Sequence, residues 1–108
     1  MLFTLPDNDG NPVFGGGSYT DDGCETKELN QGDFTISSTG TWSTSSDVNC
    51  IYPMGWRVTV EGMTLTIAAA LEKQELALPY TTPYWEGAAV VSGDAAGRAY
   101  VEMTGYCQ

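Results

Sequence analysis

Histidine is absent from the sequence. Lysine and arginine together number four against fourteen aspartates and glutamates, a net charge of −10 over 108 residues. A chain with no basic patch has little to offer a phosphate backbone, so nucleic acid and anionic membrane surfaces are excluded as partners. No apolar run approaches the ~20 residues that a membrane-spanning helix needs, so membrane insertion is not expected. The opening Met1-Leu2-Phe3-Thr4-Leu5-Pro6 lacks the basic start and long apolar core of a secretory signal, and the expected compartment is the cytoplasm. Cysteine is scarce too: Cys24, Cys50 and Cys107 stand far apart and form no C-x-x-C pair. With no histidine, this argues against a zinc or haem site built on Cys and His, and no metal or cofactor is expected. Free thiols in a reducing cytoplasm are the expectation, with one disulfide and a spare thiol as the open alternative.

Glycine, threonine, serine, valine and tyrosine are plentiful, and they come in short apolar runs separated by turn residues. That rhythm predicts a single all-β domain over residues 1–108, with about nine short strands. Leu2–Leu5, Ser18–Thr20, Thr26–Leu29, Phe34–Ser37, Gly40–Ser43 and Glu75–Leu78 read as strands, and residues 44–49 as a polar loop. Gly15-Gly16-Gly17 has no following Lys-Ser/Thr or helix to make a phosphate cradle, so a bulge or sharply bent strand is expected. Asp7-Asn8-Asp9-Gly10-Asn11 looks partly like a calcium loop but lacks the ligand spacing, and its carboxylates are expected to be solvated turn groups. Trp56, Val58 and Val60 alternate with polar residues, Glu61-Gly62 makes a two-residue turn, and Met63, Leu65, Ile67 and Ala69 alternate on the way back. The register that keeps every apolar side chain on one face sets Val60 against Met63, Val58 against Leu65 and Trp56 against Ile67. Arg57 points off that face, where an ion pair with a strand carboxylate is expected.

The last hairpin, Tyr84 to Tyr106, folds about Ser92–Gly97 and has two unlike faces. Trp85, Gly87, Ala89, Val91, Ala99, Val101 and Met103 share one; Tyr84, Glu86, Val90, Arg98, Tyr100 and Glu102 share the other.

Several of these stretches carry a family likeness. Tyr84-Trp85-Glu86-Gly87, Val91-Ser92-Gly93 and Tyr100-Val101-Glu102-Met103-Thr104-Gly105-Tyr106 resemble the C-terminal signature of the AttH-like and carotenoid hydratase (hydroxyneurosporene synthase) family. Gln74-Glu75-Leu76, Thr39-Gly40-Thr41-Trp42 and Tyr52-Pro53-Met54-Gly55-Trp56-Arg57 look like its upstream landmarks. The resemblance implies a lipocalin-like (calycin) antiparallel barrel, incomplete or partly open, because the family has two such domains and this chain is similar to most of the second. It also implies an apolar small-molecule ligand, or a hydratase or isomerase acting on a polyene or terpenoid-like substrate. The hydratase branch's catalytic residues do not lie in the matched motifs, so none is transferred. A barrel lacking a strand has an open edge, which suggests a homodimer or another interaction.

Two sets of candidate site residues follow. Trp56, Val58, Leu65, Ile67, Trp85, Ala89, Val101 and Met103 lie on the apolar face, and are either core or the lining of a cavity for an apolar ligand. Any acid chemistry falls to Glu86, Glu102 and Tyr100. A register with Glu86 opposite Thr104 leaves Glu102 one diagonal step away, and two close carboxylates split their pKa values. The competing reading places this face outside the barrel, with the carboxylates in water.

Overall fold

Alternation of apolar and polar residues builds the fold, and the computed structural model describes residues 1–43 and 49–107. The predicted polar loop falls largely on residues 44–48, outside the described residues. Among the described residues there are eleven strands and no helix, and so no helix long and apolar enough to cross a membrane.

Three strands make a small antiparallel sheet: β1 (Leu2–Pro6), β2 (Pro12–Thr20) and β3 (Thr26–Asn30). The main sheet runs in the order β11 (Gly97–Met103), β10 (Tyr84–Gly93), β8 (Met63–Ala69), β7 (Gly55–Val60) and β4 (Phe34–Thr39). The short β9 (Glu75–Leu76) pairs with the start of β10. A further pair, β5 (Trp42–Ser43) with β6 (Ile51–Tyr52), sits apart. The main sheet curls into an open half-barrel, the antiparallel and incomplete lipocalin-like barrel that the family resemblance implies.

Hairpin β7–β8 has the register read from its alternation: Trp56 opposes Ile67, Val58 opposes Leu65 and Val60 opposes Met63. Its turn residues Glu61 and Gly62 both take positive φ (50° and 76°), the pattern of the two-residue turn that matches strand twist. Arg57 sits between Ser37 and Thr66 on the outer face and is exposed. Its expected carboxylate partner is not found among the described residues, where the ion pair is Lys27 with Glu61 at 3.0 Å. That pair ties β3 to the β7–β8 turn.

Three expectations are corrected. The glycine triplet is not a bulge: Gly15, Gly16 and Gly17 lie inside an unbroken nine-residue β2, and the register shift falls at Leu5/Pro6. The need there is close approach, because a Cβ on Gly17 would run into the Met1 carbonyl and Leu2. The last hairpin is shifted by two residues from its predicted register: Glu86 opposes Glu102, not Thr104, and Trp85 opposes Met103. Its turn is held by a distant partner. Asp94 accepts the Thr64 N–H on its carboxylate at 2.8 Å and donates its own N–H to the Thr64 carbonyl at 3.1 Å. Finally, Cys50 and Cys107 are not free thiols; they form a disulfide, and Cys24 remains an exposed thiol.

The acidic turns behave as solvated groups that also cap backbone. Asp7 accepts from the N–H groups of Asp9 and Asn11, and Asp21 from those of Gly23 and Glu25. The bond from the Asn11 backbone, chief among these, holds the Asp7 carboxyl below its ordinary pKa.

Candidate functional site

The inner face of the half-barrel divides in two. At one end Trp85 is fully buried, with Met103 beside it and Trp56, Val58 and Val60 behind. Leu29 from the small sheet and Tyr52 from β6 cap that end, so it is packed core. The Trp85 indole N–H donates to the Glu72 carbonyl at 2.6 Å, which satisfies the polar atom of a ring that has left water. Towards the β10–β11 turn the same face opens. Leu65, Ile67, Val91, Ala99 and Val101 point inward by register yet stay half-exposed. Between the two ends, Ala89 is buried opposite Ala69 and Ala99, a patch of small side chains.

The eight residues read as a lining therefore all share the inner face. Trp56, Val58, Trp85, Ala89 and Met103 are core; Leu65, Ile67 and Val101 border the open end. A groove of about 440 Å³ lies elsewhere, on the small sheet between Phe3, Phe14, the glycine triplet and Leu29.

Glu86, Glu102 and Tyr100 come together, but on the outer face. Glu86 and Glu102 are direct cross-strand partners and Tyr100 opposes Ala88. Tyr100 is 69% exposed and Glu102 is exposed, with Glu86 half-buried between them. Partial desolvation, the Glu86 charge and a hydrogen bond to Glu86 raise the Tyr100 phenol above its ordinary pKa. An acid here would work in contact with water rather than inside a cavity.

A more enclosed polar cluster was not legible in the sequence. Tyr52 is fully buried, stacked against Trp42 with ring centroids 6.3 Å apart and tilted against Tyr106 at 5.8 Å. Burial, then a hydrogen bond to Glu75 and the Glu75 charge, push its phenol well above the ordinary range. Glu75, at the start of β9, is half-buried, and the Tyr52 hydroxyl oxygen also lies 3.6 Å from the Cys107 sulfur. Residues 52, 75 and 107 stand far apart in the chain, and only the Gln74-Glu75-Leu76 landmark hinted that this step mattered.

Gln74 has its own role. Strand β8 pairs with β10 from Ala89 onward, and β9 pairs only with Tyr84 and Trp85. The Gln74 side chain fills the gap: Ala88 N–H donates to its Oε1 at 3.0 Å, and its Nε2 donates to the carbonyls of Ala88 (3.2 Å) and Leu71 (2.8 Å). Its backbone carbonyl accepts the Glu86 N–H at 3.3 Å. Gly87 makes this fit, because a Cβ there would occupy the space of the Gln74 amide.

Comparison with known proteins agrees with this geometry. No curated protein matches the chain. A crystal structure of an AttH assignment from Nitrosomonas europaea superposes with a TM-score of 0.89 at 26% identity, covering all of this chain and 34% of that one. The chain thus spans about a third of that protein's length. The profile of the AttH-like family matches residues 1–106, nearly the whole sequence. The chain belongs to the AttH-like family.

Proposed function

We propose that this chain is a lipocalin-like binding domain for an apolar or amphipathic small molecule, seated on the open end of the half-barrel's inner face. The observation that carries the reading is the inward-pointing but half-exposed group Leu65, Ile67, Val91, Ala99 and Val101. Apolar side chains facing inward in a small barrel are normally sealed, and a contiguous unsealed group is what an apolar ligand covers. Ala69 and Ala99, partly exposed beside this group, are small where larger side chains would cover it. A hydratase-type role has weaker support, since Glu86, Glu102 and Tyr100 lie across the sheet from this group.

The test is titration with a hydrophobic fluorescent probe. Saturable binding is expected, weakened at least tenfold by Ala99→Trp, which fills the open end, and unchanged by Val90→Lys on the outer face. Absence of saturable binding to the parent chain rejects the reading. A second reading rests on β11, an edge strand of the main sheet that carries the exposed Tyr100, which supports pairing with a second copy. The same titration separates the two, because an interface function predicts no probe binding sensitive to Ala99→Trp.

A further inference from the structure

Three segments distant in sequence converge behind the packed end of the barrel. Cys50 precedes β6, Glu75 opens β9 and Cys107 follows β11. Cys50 and Cys107 face each other across an antiparallel bridge, supported by the Ile51 N–H to the Tyr106 carbonyl at 3.3 Å. The two sulfurs and a Glu75 carboxylate oxygen all lie within 4.8 Å of one another. Two further oxygens stand at the same place: the Tyr52 hydroxyl, 3.6 Å from the Cys107 sulfur, and the Pro83 carbonyl, 3.5 Å from it.

We propose that Cys50, Cys107 and Glu75 form a redox-gated site for a divalent ion of zinc type, closed while the disulfide is intact and opened by its reduction. In the disulfide neither sulfur carries the negative charge a metal needs. A dithiol reductant delivers two electrons and two protons: the sulfur–sulfur bond breaks, two thiols form, and the reductant leaves as its cyclic disulfide. On metal binding the two thiols release their protons and become thiolates. Two thiolates and one carboxylate then offer three ligands, with the fourth position open to water or to the Tyr52 or Pro83 oxygen. Bonds of about 2.0–2.3 Å set the donors of one tetrahedral ion roughly 3.3–3.8 Å apart. The Glu75 oxygen already stands within 4.8 Å of both sulfurs, and the sulfurs, bonded to each other in the disulfide, reach that spacing by parting on reduction. Sulfur ligands favour zinc, cobalt and cadmium over calcium or magnesium. Cys50 is sealed in the core, while Glu75 and Cys107 are half-exposed, which gives reductant and ion a side from which to approach. A net charge of −10 favours cations near the surface. The pairing was invisible to cysteine arithmetic because the two cysteines are 57 positions apart and the third ligand is a glutamate.

The experiment uses the full chain, oxidised or reduced, with the reductant removed under argon, and titrates it with Co2+. The reduced chain is expected to bind one equivalent at least a hundredfold more tightly than the oxidised chain. Thiolate-to-cobalt charge transfer and a tetrahedral visible band should appear, and Zn2+ should displace both. Cys24→Ser should keep the whole signal, and Glu75→Gln should weaken binding at least tenfold and alter the visible band. Equal affinity of the two redox forms, loss of the signal in Cys24→Ser, or full affinity in Glu75→Gln overturns the proposal. If reduction alone loosens the fold, read by near-ultraviolet circular dichroism, Co2+ must restore the native spectrum; failure to restore it also counts against the site.

Discussion

Replacing Gly87 by alanine tests whether the Gln74 side chain acts as a piece of sheet. Gly87 lies outside the left-handed region and inside β10, so alanine fits its backbone. On backbone grounds alone the substitution should stabilise by about 0.4–1 kcal/mol, because the unfolded chain loses freedom. The structure reverses that sign. The new Cβ takes the space of the Gln74 amide and pushes the side chain away from Ala88. Three hydrogen bonds go with it: Ala88 N–H to Oε1, and Nε2 to the carbonyls of Ala88 and Leu71. At roughly 1 kcal/mol each the loss is about 3 kcal/mol, leaving Gly87→Ala destabilised by about 2 kcal/mol. The decisive comparison is the same substitution in a Gln74→Ala background. There the space is vacant and the bonds are already gone, so Gly87→Ala should be neutral or stabilising by up to about 1 kcal/mol. Urea unfolding followed by tryptophan fluorescence measures all four corners of the cycle. A Gly87→Ala chain as stable as its parent, or an equal effect in both backgrounds, would refute the reasoning.

Removing the cross-link with Cys50→Ala and Cys107→Ala frees a 57-residue separation, and loop-closure entropy puts the loss at about 4 kcal/mol. A urea midpoint measures it, and the native parent should show one thiol reactive to Ellman's reagent, Cys24, rising to three on reduction. A loss below about 1 kcal/mol, or three reactive thiols at the outset, contradicts the bridge. Tyr52 gives a pH signature. Its folded pKa is raised, so at alkaline pH the native state holds a proton that the unfolded state releases. Its contribution is whole below the unfolded value of ~10 and falls by up to about 1.4 kcal/mol per pH unit above it. Stability measured from pH 9 to 11 should fall less steeply in Tyr52→Phe, and parallel curves would remove Tyr52 as the cause.

How much of this was legible in the sequence depends on how far each determinant reaches. Hairpin β7–β8 was readable because all its information is local: five alternating residues, Glu61-Gly62, and the demand that Trp56, Val58 and Val60 share a face with Ile67, Leu65 and Met63. The β10–β11 hairpin looked just as local, and its two faces were read correctly. Its register was not, since Ser92–Gly97 accommodates more than one turn and the choice is made by Thr64, thirty residues away. A shift of two residues keeps every side chain on its face, so alternation could not expose the error. Cys50 with Cys107, and Tyr52 with Glu75, have no local signature at all. The role of Gln74 was not readable from pattern either, because a side chain that stands in for a strand leaves no periodicity.

These long-range features share a location, and that location explains them. An open half-barrel has to manage the stretch where β10 loses β8 as a partner and before β9 begins. Unpaired backbone there would be a template for another strand. Gln74 occupies it, Gly87 makes room, and the Trp85 indole is tied to Glu72 just alongside. The disulfide then binds the end of the last strand to β6, so that Tyr106 and Tyr52 meet and the packed end stays shut. Closing one end so thoroughly is what allows the other, around Leu65, Ile67 and Val101, to remain open without loss of the core. Weakening the closed end through Gly87→Ala or reduction should therefore leave the outer-face pairing of Glu86 with Glu102 as before while loosening Trp85, and the tryptophan emission should shift to the red before the sheet itself unfolds.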